Sequence, residues 1–130
     1  MKKLLLALLL ICPLLMMGQS STVNGQVSSE DSGDPVAGAM ISLKKDGAVV
    51  TQLYTNHKGD YTIPSIKQGV YTIEITKSGY ATIIITEVDL MAPQHIQINP
   101  AFEYGSYDTD EVLEISYKEL QREATFGIAK

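Results

Sequence analysis

The chain has 130 residues, a net charge of −5, 45% hydrophobic residues, one cysteine and no tryptophan. The acidic balance argues against a nucleic-acid surface, which needs clustered Lys and Arg, and against charge-driven binding to anionic lipid. Without tryptophan the commonest sugar-stacking side chain is missing, and tyrosines would have to take that role.

Lys2 and Lys3 precede an apolar run from Leu4 to Met17, interrupted by Pro13, and Gly18-Gln19-Ser20 restores polarity. This is the pattern of a secretory signal peptide over residues 1–18, shorter than the roughly 20 apolar residues of a membrane-spanning helix. Cys12 lies inside the run and not at a cleavage point. The exported chain is therefore expected to lack cysteine, disulfides and thiolate chemistry, although it would enter an oxidising compartment. Its expected location is the periplasm, the outer membrane or the medium. A domain of about 110 residues must then be held by its core, burying roughly 60–70% of its unfolded surface.

Seven β-rich segments follow. Thr22 to Ser29 alternates Val23, Gly25 and Val27 with polar residues, and Ser29-Glu30-Asp31-Ser32-Gly33-Asp34-Pro35 is a polar loop. Val36 to Lys45 puts Ala37, Ala39, Ile41 and Leu43 on one face. Asp46-Gly47 is a hairpin-turn dipeptide before Ala48 to Thr55. Asn56-His57-Lys58-Gly59 turns into Tyr61 to Ile66, where Pro64 marks an edge or a strand end. Lys67-Gln68-Gly69 leads into a strand with Tyr71, Ile73 and Ile75 in one row. Lys77-Ser78-Gly79 leads into Tyr80 to Leu90, where Ile83 and Ile85 share a side and Ile84 falls opposite. The last segment runs from His95 to about Phe102. Seven short strands at hairpin spacing, with no helix between them, predict an all-β fold: a seven-stranded antiparallel β-sandwich over residues 20–103.

Residues 104–130 differ in texture. Tyr104 to Asp110 reads as a polar linker. Glu111 to Tyr117 supports two local structures. A helix would start from a capping box at Asp108 and Glu111 and present Leu113, Tyr117, Leu120 and Ala124. A strand would set Val112, Glu114 and Ser116 against Leu113, Ile115 and Tyr117.

Candidate chemistry is sparse. His57 and His95 each stand alone, without partners at metal-ligand spacing. No serine sits in a nucleophile elbow, and no glycine run resembles a phosphate loop. No catalytic or metal residue is assigned, and no cofactor is expected. Glu30, Asp31 and Asp34 form an oxygen-rich loop that reads first as a solvated turn and second as a calcium site. Lys44 is the one strand lysine to consider for a self-made Lys–Asn bond. Tyr61, Tyr71 and Tyr80 each start a segment soon after a glycine. They read first as packing at sheet corners and second as a shallow aromatic patch for glycan.

The residues at the turns carry a family likeness. Val23-Asn24-Gly25-Gln26-Val27, Pro35-Val36-Ala37-Gly38-Ala39, Thr55-Asn56 through Gly59-Asp60-Tyr61, Gly69-Val70-Tyr71 and Ser78-Gly79-Tyr80 together resemble carboxypeptidase regulatory-like domains. The resemblance spans about Thr22 to Phe102 and implies a transthyretin-type (prealbumin-like, Ig-like) sandwich, also grouped among carbohydrate-binding-like folds. Asn56 stands where the family often has aspartate, and both residues serve a turn. The tail, Asp110 to Tyr117 and then Gln121 to Gly127, resembles the segment that follows this domain in TonB-dependent outer-membrane receptors of Bacteroidetes type. There a short apolar TonB box precedes a plug domain. The resemblance implies that Glu111, Val112, Leu113, Glu114, Ile115, Ser116 and Tyr117 bind a partner, the periplasmic domain of TonB or a receptor complex. Such a box acts by adding an extended strand to a partner's sheet edge. Three functions follow as expectations: a receptor-type interaction module, free-standing or truncated; a carbohydrate-binding module; and an accessory stabilising domain for a separate enzyme.

Overall fold

The structure is a computed structural model that describes residues 20–103 and 112–121. The expected leader at residues 1–18, the linker, Glu111, the capping box at Asp108 and Ala124 lie outside the described residues.

The described residues form ten strands in chain order: β1 (Ser21–Gln26), β2 (Ser28–Ser29), β3 (Met40–Lys45), β4 (Ala48–Tyr54), β5 (Asp60–Ile66), β6 (Val70–Thr76), β7 (Thr82–Asp89), β8 (His95–Gln97), β9 (Ala101–Phe102) and β10 (Val112–Ser116). Residues 117–121 are helical, and among the described residues no helix is long and apolar enough to cross a membrane. The strands form a five-stranded sheet in the order β10-β7-β6-β3-β4, a three-stranded sheet in the order β5-β1-β8, and a two-stranded sheet of β2 and β9.

The expected sandwich is present, and its core is assembled from period-2 rows. Ile41 and Leu43 on β3, Tyr71, Ile73 and Ile75 on β6, and Ile83, Ile85 and Val88 on β7 all lie in one buried cluster. They share it with Val23 on β1, Tyr61, Ile63 and Ile66 on β5, and Ile96 on β8. A fully buried Ile or Val row of this kind contributes about 1.5–3 kcal/mol per side chain relative to exposure.

The sandwich is not purely antiparallel, which corrects the expectation. β1 pairs with β8, β2 with β9 and β10 with β7 in parallel. After Leu90 the chain leaves the large sheet and returns beside β1, and a crossover frees strand direction from the hairpin rule. Alternation identifies faces but carries no direction.

Three boundaries also move. The first predicted strand breaks at Val27, whose N–H donates to the Gly59 carbonyl at 2.8 Å and whose carbonyl accepts from Val36 at 2.9 Å. The second begins at Met40, because Gly38 stands at φ 71° in a turn. The last divides between β8 and β9 around Pro100, which has no N–H to give a ladder. By contrast, the Asp46-Gly47 turn has φ of 52° and 80°, the left-handed pair that a type I′ hairpin requires.

Register shifts between Ser21 and Val23 and between Tyr71 and Ile73 set an extra residue in the facing strands β5 and β7. Ser65 and Glu87, both at φ 57°, stand in those stretches. Bulges of this kind bend a strand and raise its twist.

Candidate interaction site on the β7 edge

The strand reading of the tail holds over Val112–Ser116, the expected helix through Leu113 does not form, and a short helix follows only at residues 117–121. β10 is extended and runs parallel to β7, with Val112 opposite Thr82, Leu113 opposite Ile83, Glu114 opposite Ile84, Ile115 opposite Ile85 and Ser116 opposite Thr86. Ser116 then ends the strand and caps the helix, its hydroxyl oxygen accepting the Glu119 N–H at 3.3 Å. A serine three residues before the N–H it accepts is a common N-cap arrangement. Leu113 is therefore on a strand and not on the expected helix face, whereas Tyr117 and Leu120 both pack against the core cluster.

The register decides what the tail shows to solvent. Leu113 and Ile115 continue the core-facing row of Ile83 and Ile85, and both are half-buried. Val112 and Glu114 are exposed, Val112 by 55%. Beneath the strand lies an open groove of about 510 Å³ lined by Ile83, Ile85, Leu113, Ile115 and Leu120. Glu30 and Glu103 stand at its rim. A protonated Glu30 can hydrogen-bond to the Glu103 carboxylate, whereas two ionised carboxylates repel, and both effects raise the Glu30 pKa above the usual carboxylate value. β10 closes one edge of the large sheet, and its outer side has no further strand among the described residues.

Leu120 and the β7 edge were missed in the sequence as parts of this site. The unbroken triplet Ile83-Ile84-Ile85 marks a strand apolar on both faces, which says nothing of a partner along its edge.

The three tyrosines do not assemble a surface patch, which corrects that expectation. Tyr61 is buried on β5, and its hydroxyl donates to the Ile98 carbonyl at 2.7 Å. Burial also pushes its pKa well above the ordinary tyrosine value. Tyr71 is buried at the start of β6, donates to the Lys67 carbonyl at 2.6 Å, and has the Lys45 ammonium 5.7 Å from its ring centre. Tyr80 is half-buried at the opposite end of the β6–β7 hairpin, where its ring lies 5.0 Å from that of Phe102.

His57 and His95 are both exposed. Glu30, Asp31 and Asp34 are exposed as well, and among the described residues no group of three or more His, Cys, Asp or Glu is arranged to hold a metal ion. Lys44 pairs with Glu74 across β3 and β6, at 2.5 Å.

A second concavity, of about 540 Å³, opens on the polar face of the small sheet and is lined by Asn24, Gln26, Asp60, Thr62, Gln97 and Asn99. Asn99 and Gln26 are tied to backbone there: the Asn99 side-chain oxygen accepts the Gln26 N–H at 2.9 Å, and the Gln26 amide donates to the Lys58 carbonyl at 2.8 Å.

Comparison with solved structures returns the same architecture. A candidate carbohydrate binding protein from Bacteroides uniformis superposes with a TM-score of 0.54 at 13% identity, covering 65% of this chain and 42% of that one. The major pilin subunit of Bacillus cereus gives 0.53 at 14% identity, over 67% of this chain and 31% of the pilin. A type II cohesin–X-dockerin complex from Acetivibrio cellulolyticus gives 0.50 at 23% identity, over 65% of this chain and 58% of that chain. This chain thus spans less than two thirds of each. At these identities the likeness is one of fold. No curated protein matches the sequence. The carboxypeptidase regulatory-like domain matches residues 22–103, from β1 to just past β9 and short of β10. The chain belongs to the carboxypeptidase regulatory-like domain family.

Proposed function

We propose that this protein is a non-catalytic, exported interaction module of the periplasm or outer membrane. Its recognition element is the tail strand, Glu111 to Tyr117, and its partner is the periplasmic domain of TonB, as in the N-terminal part of an outer-membrane nutrient receptor. The observation that carries the reading is the state of the tail. Val112–Ser116 is extended and pairs, residue for residue, with a sheet edge. Strand addition to a partner needs that conformation, with main-chain bonds giving affinity and alternate side chains giving specificity. A synthetic peptide of residues 111–117 titrated into the purified periplasmic domain of TonB tests it. Saturable binding is expected, and absence of heat or shift at millimolar peptide refutes the partner.

A second reading, glycan binding, rests on the polar concavity of Asn24, Gln26, Asp60, Thr62, Gln97 and Asn99. Planar amides and a carboxylate on an open face suit sugar hydroxyls. A glycan array without hits above background would remove it.

A further inference from the structure

We infer that the sandwich sequesters its own recognition strand: β7 holds β10 in cis, and the tail engages a partner through Leu113 and Ile115 only after leaving that edge. This rests on the proposal that the tail is the recognition element, and adds how it is regulated.

The reasoning is geometric. Strand addition reads alternate side chains, and the two largest apolar side chains of the tail strand, Leu113 and Ile115, face the sandwich's own groove. Tyr117 and Leu120, just beyond, pack against the core. A partner meeting the docked tail would find only Val112, Glu114 and Ser116. The hold is also built to be weak. The β7–β10 ladder is parallel and at most five residues long, and parallel pairing is slightly less stable per residue. β10 is an edge strand whose apolar side chains are half-buried, over a groove that the tail leaves unfilled. Elements with few buried contacts open at low free energy, well below global unfolding. The tail is thus held but exchangeable, and the affinity of the chain for its partner is multiplied by the fraction of molecules with the tail released, which lowers it.

Two variants of the exported chain separate the steps. Leu120→Asp loosens the docking without touching residues 111–117. Thr82→Cys with Val112→Cys locks it: these positions are register partners on neighbouring strands, about 4.7–4.9 Å apart as strands pack, within the span a disulfide bridges. The chain's one native cysteine, Cys12, lies in the expected leader.

Hydrogen exchange is read at those amides of residues 112–116 that face β7, since the alternate ones point to the open edge of the sheet. They should be protected in the wild-type chain and exchange about tenfold faster or more in Leu120→Asp, with β6 unchanged. Binding to the periplasmic domain of TonB should tighten by a similar factor in Leu120→Asp. The double-cysteine chain alters Val112 within the recognition strand, so it is compared only with itself: its oxidised form should bind more weakly than its reduced form. Free-peptide exchange rates at these β7-facing amides in the wild-type chain would overturn the inference. So would equal binding by oxidised and reduced chains, which would mean that the partner adds to the outer edge of β10. If the free peptide itself does not bind TonB, the proposed partner fails, while the exchange contrast between wild type and Leu120→Asp still decides sequestration.

Discussion

Replacing Thr55 by Val should cost this domain far more than a change of one atom suggests. Thr55 is 5% exposed. Its hydroxyl accepts the Ala39 N–H at 2.9 Å and donates to the Val36 carbonyl at 2.8 Å. Its own backbone carries two more links to the same segment: its N–H donates to Ala39 at 2.9 Å, and its carbonyl accepts from Gly38 at 3.1 Å. The approach to β3 is therefore hung on Thr55. Valine keeps the shape and leaves one buried donor and one buried acceptor without partners. Each orphaned group costs about 1–3 kcal/mol, so the pair should lose about 2–6 kcal/mol. At about 4–8 °C per kcal/mol for a domain of this size, Tm should fall by roughly 10–50 °C. Thr55→Ser keeps the hydroxyl and loses one buried methyl, about 1 kcal/mol. Thermal unfolding followed by circular dichroism compares the two. A Thr55→Val chain as stable as Thr55→Ser would show that these bonds do not hold the segment, and would refute the reasoning.

Gly25→Ala should overpack the small sheet. A Cβ at this position would stand 1.8 Å from the Ile98 carbonyl oxygen and 2.7 Å from its carbon, atoms held by the Ile98 N–H to Asn24 bond and by the Tyr61 hydroxyl. We expect a loss of about 3 kcal/mol, at the upper end for overpacking. An unchanged urea midpoint would contradict it. Glu30→Gln should act in the other direction. The pKa of Glu30 is raised from 4.5, first by its hydrogen bond with Glu103 and then by the charge of that group. A raised carboxyl favours the fold below its unfolded pKa, and that contribution is lost as pH rises through the folded pKa. At pH 7 the two charges oppose folding, so Glu30→Gln should raise Tm at neutral pH. The gain should vanish near pH 3, and shrink in salt because both carboxylates are exposed. A gain independent of pH would mean that the repulsion is not its source.

Much of the core was legible from parity. Tyr71, Ile73 and Ile75 sit two apart, and so do Tyr61 and Ile63. The same rows that identify the strands thus also bury the two tyrosines. Their place beside glycine turns suggests a surface, and parity was the stronger signal. Asp46-Gly47 fixed its hairpin because only a left-handed pair closes it. Asn56 fixed the next turn: its side-chain oxygen accepts from Lys58 at 2.9 Å and from Asp60 at 3.0 Å. Strand direction was not legible, because alternation is the same either way. The tail was ambiguous because Leu113 and Tyr117 stand four apart, as on a helix face, while Leu113, Ile115 and Tyr117 stand two apart, as on a strand. The partner of β10 was hidden for a further reason. Pairing with β7 brings together residues 30 apart in the chain, and no local pattern encodes that contact.

The central claim is that recognition lies in the tail strand and not on the sandwich. Ile115→Pro tests it most directly, because proline removes a main-chain donor from any ladder that β10 could join. The measurement is binding of the exported chain to the immobilised periplasmic domain of TonB, wild type against Ile115→Pro, with the thermal unfolding of the sandwich as control. The account predicts that the wild-type chain binds, and that Ile115→Pro does not bind while the sandwich still unfolds cooperatively. Equal binding by the two chains, or no binding by the wild type, would contradict it.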